Sequence, residues 1–322
     1  MPSPEHEAIV AALTSAPQGE APTNIAAMRE AMAGLADLFA GIPFPAGVEQ
    51  VAVSAAGVPA FWFVPPDPRP GRAILYLHGG GYVMGSVATH RSLIARLALA
   101  TGIRCLALDY RLAPEHPFPA AIEDACSAYH WLQTGIDPSP GRGPTLEPRG
   151  DTRGTPRAER IAASRIAIAG DSAGGGLVLG ALVALRDAGK ALPGAAICIS
   201  PLADLELTGR SAHRGIADPM VSVEGTRIMA EAYLQGRDPR DPRASAIHAD
   251  FTGFPPLCIE VGTREILLDD ATRVAERARK AGVDVELTLG EGLTHVWQLH
   301  PQLPETTESV ARIARFIVSR IG

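Results

Sequence analysis

Cysteine is scarce in this chain, with four in 322 residues and no C-x-x-C pair among them. A disulfide scaffold and the common thiolate metal sites are therefore not expected. Cys105, Cys198 and Cys258 lie inside apolar strand-like runs and Cys126 in a helical stretch, so all four are read as buried free thiols. No apolar run is long enough to span a bilayer. The first residues carry Glu5 and Glu7 instead of a basic start followed by an apolar stretch, so no secretory signal is expected and the cytoplasm is the default location. A positive charge excess is also missing: the formal net charge is −6, which gives no electrostatic reason to bind nucleic acid or an anionic membrane. No internal repeat or composition break divides the chain. With 46% hydrophobic residues it can bury a full core as one large α/β domain carrying insertions, directed at a small molecule.

What is present is glycine in two informative settings. His78-Gly79-Gly80-Gly81 follows Ala73-Ile74-Leu75-Tyr76-Leu77, an unbroken apolar run of buried-strand type, so the glycines leave the end of a strand and can turn N–H groups toward a ligand. Gly170-Asp171-Ser172-Ala173-Gly174 fits G-x-S-x-G, in which a strand turns sharply into a helix and exposes a strained serine. Its flanks agree, with the β-like run Arg165 to Ala169 before it and a Leu, Val and Ala-rich stretch of helical spacing from Gly174 to Arg186 after it. Either motif alone is weak. Together, in this order and each directly after a predicted strand, they describe both halves of an acyl-transfer site, a nucleophile and a seat for an oxyanion.

A coarse reading predicts strands near 49–53, 58–64, 73–78, 104–110, 165–170, 195–200, 257–261 and 283–289, with helices between the later six. This alternation predicts a mostly parallel eight-stranded sheet with helices on both faces, whose ligands bind beyond the carboxyl ends of the strands. Ahead of the first strand, Ile25, Met28, Met32, Leu35 and Phe39 recur at helical spacing. Such a helix either docks on the core or covers the site.

His78 to Gly81, the segment Asp109-Tyr110-Arg111-Leu112-Ala113-Pro114-Glu115 with Pro117-Phe118-Pro119-Ala120, and Gly170 to Gly175 resemble the bacterial hormone-sensitive-lipase-like branch of the α/β-hydrolases. The resemblance runs from about Gly71 to the C-terminus. It implies an α/β-hydrolase fold and a metal-free, cofactor-free serine esterase with a helical cap, formed by residues 1–45 and 202–250. Compared with the family, residues 139–163 look like an insertion; their turn-rich, charged composition suits an exposed, flexible loop.

A serine hydroxyl needs a base to take its proton, and the base needs a third group to hold its tautomer and stabilise its charge. In this fold the order is Ser, acid, His, which makes Ser172 the nucleophile and His295, just beyond the last strand, the base. His300 is read as a surface or packing residue. The family carries Asp-x-Leu, a second Asp four residues after the first, and a His thirty residues on; Glu265, Leu267, Asp269 and His295 reproduce that spacing with glutamate as the acid. Asp269 is the runner-up, its bland alternative being a helix N-cap. The family pattern assigns oxyanion donors to the backbone N–H groups of Gly80, Gly81 and Ala173, with His78, Gly79 and Asp171 as supporting motif. Tyr110, Arg111 and Glu115 belong to the same polar framework. The resemblance implies hydrolysis of short acyl esters, with lactones as the nearest alternative. A non-catalytic receptor is disfavoured by the retained His295, and a peptidase by the His-Gly-Gly-Gly motif. Homodimer formation stays open.

Overall fold

The structure is a computed structural model describing residues 2–15, 24–40, 44–135, 160–216 and 218–322. Its strands, in chain order, are β1 (Glu49–Ala55), β2 (Val58–Val64), β3 (Ala73–Leu77), β4 (Cys105–Leu108), β5 (Ile166–Asp171), β6 (Ala195–Ile199), β7 (Leu257–Gly262) and β8 (Val285–Gly290). The helices are α1 (Pro4–Ser15), α2 (Ile25–Ala40), α3 (Val87–Thr101), α4 (Ala120–Thr134), α5 (Ala173–Asp187), α6 (Val223–Leu234), α7 (Leu268–Lys280) and α8 (Pro304–Ile321). The strands form one sheet in the order β1-β2-β4-β3-β5-β6-β7-β8. β2 runs antiparallel to both β1 and β4, and the remaining pairs are parallel. A two-residue turn through Ala56 and Gly57, both at positive φ, joins β1 to β2, as a tight hairpin between twisted strands requires.

Every residue of β3 to β7 is buried. Alternate side chains go to opposite layers: Ile74, Tyr76, Ala167, Ala169 and Ile197 join the core under α3 and α8, while Leu75, Leu77, Ile168 and Cys198 join the one under α4, α5 and α7. With both faces covered, these strands read as apolar runs, apart from Glu260 within β7, which is paired with Arg312, and Asp171 at the end of β5. Truncating one such side chain, Ile168→Ala for example, costs about 2 to 5 kcal/mol.

The expected strands are all there, with ends that shift by a residue or two. The fourth stops at Leu108, not 110; beyond it the Asp109 N–H still donates to Pro59 O of β2 at 2.9 Å, while its carboxylate accepts from Val87 N–H at 2.7 Å, at the start of α3. Ser86 and Thr89 complete that start with a reciprocal capping box. Cys105, Cys198 and Cys258 are buried free thiols in strands, whereas Cys126 in α4 is only half-buried. The helix expected over residues 25–39 is α2, with Met28 buried. Of the expected insertion, residues 139–159 lie outside the described residues. Residues 160–163 lead into β5, with Ile161 buried and its N–H bonded to Leu132 O. Among the described residues no helix is long and apolar enough to cross a membrane.

Candidate active site

At the carboxyl end of β5 the chain reverses from strand to helix in a single residue. Ser172 adopts φ 55° and ψ −122°, a conformation that non-glycine residues rarely hold, and α5 starts at Ala173. The turn is held by Ser172 N–H donating to Ile199 O and by Ser172 O accepting from Gly176 N–H and Leu202 N–H. Glycine at 174 is a matter of space, since a Cβ there would stand 2.0 Å from Leu77 O and 2.6 Å from His78 O. The neighbouring strand end thus comes close enough for its glycine loop to lie against the serine.

Two further loops leave the ends of β7 and β8. Ser172 Oγ lies 3.0 Å from His295 Nε2, and His295 Nδ1 lies 2.7 Å from Glu265 Oε2. His295 is 5% exposed and Glu265 fully buried, so the imidazole lies between a hydroxyl that can give up a proton and a carboxylate that can stabilise the resulting charge. Burial alone would push the His295 pKa down. The Glu265 charge and hydrogen bond, with help from Asp218 and Asp171, outweigh it and raise the pKa above its ordinary value. Asp269 goes elsewhere. It is neither beside His295 nor the N-cap of α7, whose cap position is Leu267; it sits in the first turn and accepts from Ser211 N–H at 3.2 Å.

The other oxygen of Glu265 shows a partner that sequence reasoning missed. Oε1 accepts from Gly262 N–H at 2.6 Å and from Ser200 Oγ at 2.8 Å. Ser200 Oγ in turn accepts from Val296 N–H at 3.3 Å, so one fully buried hydroxyl ties the acid to the backbone beside the imidazole. Ser200 directly follows β6, at φ 44°. No local motif marks it, because its partners are 65 and 96 residues away in sequence.

The glycine loop leaves β3 alongside. Gly80 (φ 119°) and Gly81 (φ 62°) need the freedom of glycine, and Gly80 O accepts from Val83 N–H and Met84 N–H to close the turn. His78 Nδ1 donates to Gly79 O at 2.7 Å, and its ring stacks on Tyr110, whose hydroxyl donates to His78 O. Burial and the neighbouring His90 push the His78 pKa down to about 3, so its ring is neutral and serves as framework. Asp171 accepts from Tyr76 Oη at 2.6 Å and pairs with His90 Nε2 at 3.0 Å. Gly79 N also lies 3.3 Å from that nitrogen, so His90, another residue no motif announced, joins the loop to the serine turn.

This combination of sheet order, serine turn and glycine loop recurs in known proteins. Residues 74–299 match the family described as alpha/beta hydrolase fold. A crystal structure of an esterase from the bacterial hormone-sensitive lipase family superposes with a TM-score of 0.86 at 40% identity, over 100% of both chains. The chain belongs to the α/β-hydrolases, in their hormone-sensitive-lipase-like branch. Among its relatives, an acetyl-hydrolase from Streptomyces hygroscopicus is 43% identical over 263 residues, covering 81% of this chain and 80% of that protein. An esterase from Acinetobacter venetianus is 34% identical over 250 residues, covering 76% and 74%.

In this α/β-hydrolase, α2 and α6 stand over the glycine loop. The Met229 side chain of α6 lies against Gly81, where an added Cβ would meet its sulfur at 2.1 Å. Tyr233, one turn on, stacks on Tyr82 with centroids 3.9 Å apart. From α2, the Arg29 guanidinium donates to Val83 O at 2.7 Å, to Ala113 O at 2.8 Å and to both carboxylate oxygens of Glu115. Glu115 thus anchors α2, while Arg111 is held by Asp124 and Glu123. Among the described residues, one group has metal-type ligands within 4.8 Å of one another: Asp204, Glu206 and His248. Arg273 already pairs with Asp204 at 2.8 Å and Arg240 with Glu206 at 3.0 Å, so the group reads as an ion-pair network.

Proposed function

We propose that this α/β-hydrolase is a serine carboxylesterase that cleaves short-chain acyl esters through an acyl-enzyme. The observation that carries this reading is the unbroken hydrogen-bonded line from Ser172 through His295 to Glu265, lying beside a glycine loop at the carboxyl ends of the strands. His295 Nε2 takes the hydroxyl proton as Ser172 Oγ bonds to the acyl carbon, and the carbonyl electrons move onto oxygen. That oxyanion faces the N–H groups of Gly80, Gly81 and Ala173, donors fixed in advance and worth about 3 to 4 kcal/mol each in the transition state. Glu265 stabilises the imidazolium and holds its proton on Nδ1. The imidazolium then protonates the departing alkoxide. Water, deprotonated by the same imidazole, attacks the acyl-serine and releases the carboxylic acid with Ser172 restored.

Helices α2 and α6, with the rest of residues 202–250, act as a cap. Its support is Arg29 bridging to Val83, Ala113 and Glu115, together with Met229 packed on Gly81. A side chain pressed on the oxyanion loop favours small acyl groups, in keeping with the acetyl-hydrolase among the relatives.

The test is kcat/KM for a straight-chain acyl ester series beside a set of lactones, with organophosphonate labelling of the protein. Short esters turn over fastest, the label sits on Ser172, and Ser172→Ala lowers kcat by about 10⁴ or more. Faster lactone turnover would move the substrate class. A label on another residue, or an active Ser172→Ala variant, would remove the mechanism.

A further inference from the structure

The N-terminal helix α1 belongs to neither sheet layer, yet it docks on the loop that carries His295. Ile9 packs on the small core of Leu293, Trp297 and Leu303. Ser3 donates from N–H and Oγ to the two carboxylate oxygens of Glu305, at 2.6 and 3.0 Å. Between these anchors His6 and Thr294, both fully buried, meet: Thr294 N–H donates to His6 Nε2 at 3.2 Å, and Thr294 Oγ1 lies 3.2 Å from the same nitrogen.

We infer that His6 is a positioning residue for the base: as a neutral imidazole it accepts from the backbone N–H of Thr294 and so fixes the peptide that leads into His295. This rests on the proposed role of His295. The peptide between Leu293 and Thr294 is held from two sides. Its oxygen accepts from Arg264 N–H at 3.0 Å, from the residue just before Glu265, and its N–H is taken by His6. The acid loop and α1 therefore clamp the same peptide plane, one residue ahead of the imidazole that must meet both Ser172 and Glu265.

The chemistry of the contact fixes the state of the ring. A nitrogen that accepts from an N–H must keep its lone pair, so the His6 proton sits on Nδ1, a buried atom with no hydrogen-bond partner among the described residues. Protonation would set an Nε2–H against the Thr294 N–H, donor against donor, and bury a charge. The groups facing His6 are Glu7 on its own helix, Glu305 from α8, Arg264 from the acid loop and His300 from the base loop. Burial is the largest influence; the two glutamates oppose it, Arg264 reinforces it, and the pKa comes out below the ordinary histidine value. The accepting form is therefore the one held at neutral pH. His295 is shifted the opposite way, so on acidification the base is protonated first and His6 after it.

The experiment compares the full-length protein with His6→Ala and His6→Gln. Glutamine keeps an acceptor oxygen at the reach of Nε2 and cannot be protonated in this range. His6→Ala is expected to lower kcat about tenfold with KM nearly unchanged, as loss of one backbone anchor beside the base implies, and His6→Gln to restore most of that loss. In log kcat/KM against pH, the wild-type acid limb steepens from slope 1 to slope 2 below the His6 ionisation, and the His6→Gln limb keeps slope 1 throughout. Long-range ¹H–¹⁵N NMR of the imidazoles reads the Nδ1–H tautomer of His6 and its titration without reference to activity. Unchanged kcat in His6→Ala, equal losses in both variants, or a slope-2 limb in His6→Gln would overturn the inference. A hydrolytically active Ser172→Ala variant would instead remove the proposed function on which it stands, leaving the NMR result to be judged alone.

Discussion

Replacing Glu265 with glutamine changes the charge at the site and almost nothing else. The amide oxygen can take the place of Oε1, accepting from Gly262 N–H and Ser200 Oγ, which turns the NH₂ toward His295 Nδ1, where Oε2 now lies at 2.7 Å. A donor facing Nδ1 makes that nitrogen the acceptor and drives the ring proton to Nε2, where it blocks proton transfer from Ser172. Loss of the working tautomer costs about 10⁴ in kcat, or about 5.4 kcal/mol of barrier. The pH profile carries a second signature. In the wild type His295 titrates above its ordinary value, so the acid limb of kcat/KM lies above about pH 6.5. Without the Glu265 charge, burial is opposed only by Asp218 and Asp171 and the limb moves to lower pH. The assay is pH-stat titration of acid released from a short ester between about pH 5 and 9, with circular dichroism confirming both variants folded. Asp269→Asn is the control; its carboxylate serves Ser211 N–H at the start of α7, so activity should stay within about threefold. An acid limb that stays fixed or moves up in Glu265→Gln, or a larger loss in Asp269→Asn, would refute the coupling of Glu265 to the base.

Ser200→Ala removes one donor from Glu265 and the acceptor of Val296 N–H, and is expected to lower kcat by roughly 10 to 100-fold with little change in KM; steady-state kinetics with wild-type values would make the contact incidental. Arg29→Met cuts the anchor of α2 to Val83, Ala113 and Glu115 and should weaken substrate capture, raising KM several-fold, on the order of 1 kcal/mol, more than it lowers kcat; a pure kcat defect would argue against a covering role for α2. Burial pushes the Asp270 carboxyl up to about 8, against the pull of N–H groups from Ala203 and Asp204. A carboxyl that binds its proton more tightly when folded loses stability for the fold as pH rises from about 4 to 8. Asp270→Asn keeps an acceptor without the charge, so it should stabilise the fold by about 1 to 3 kcal/mol at pH 9 relative to wild type, seen as a higher Tm, and much less at pH 5; a pH-independent change in thermal melts would contradict this.

Much of this could be read from local pattern. The buried strands announce themselves because β3 to β7 are covered on both faces, and the glycine motifs because their backbones need room that a side chain would take, as Gly174 does against Leu77 and His78. Motif and chain order point to Ser172 and His295, and the spacing of the resembled family to Glu265 over Asp269; these are the three side chains that the structure brings together. What stayed hidden is what depends on tertiary apposition. Ser200 is an ordinary strand-end serine until Glu265 and Val296 are folded over it, and His90 a helical histidine until Asp171 lies opposite.

The base hangs from β8, which among the described residues pairs on one side only, with β7, and is half open to solvent along its length. Edge strands and the terminal elements beyond them are the first to open when a fold is loosened. Heat or denaturant that peels this margin carries the imidazole away from a serine turn still locked in the middle of the sheet. Hydrolysis should accordingly fade at a lower denaturant concentration than the far-ultraviolet signal of the fold, and return last when the denaturant is diluted. Catalysis in this protein is a gauge of its outermost seam.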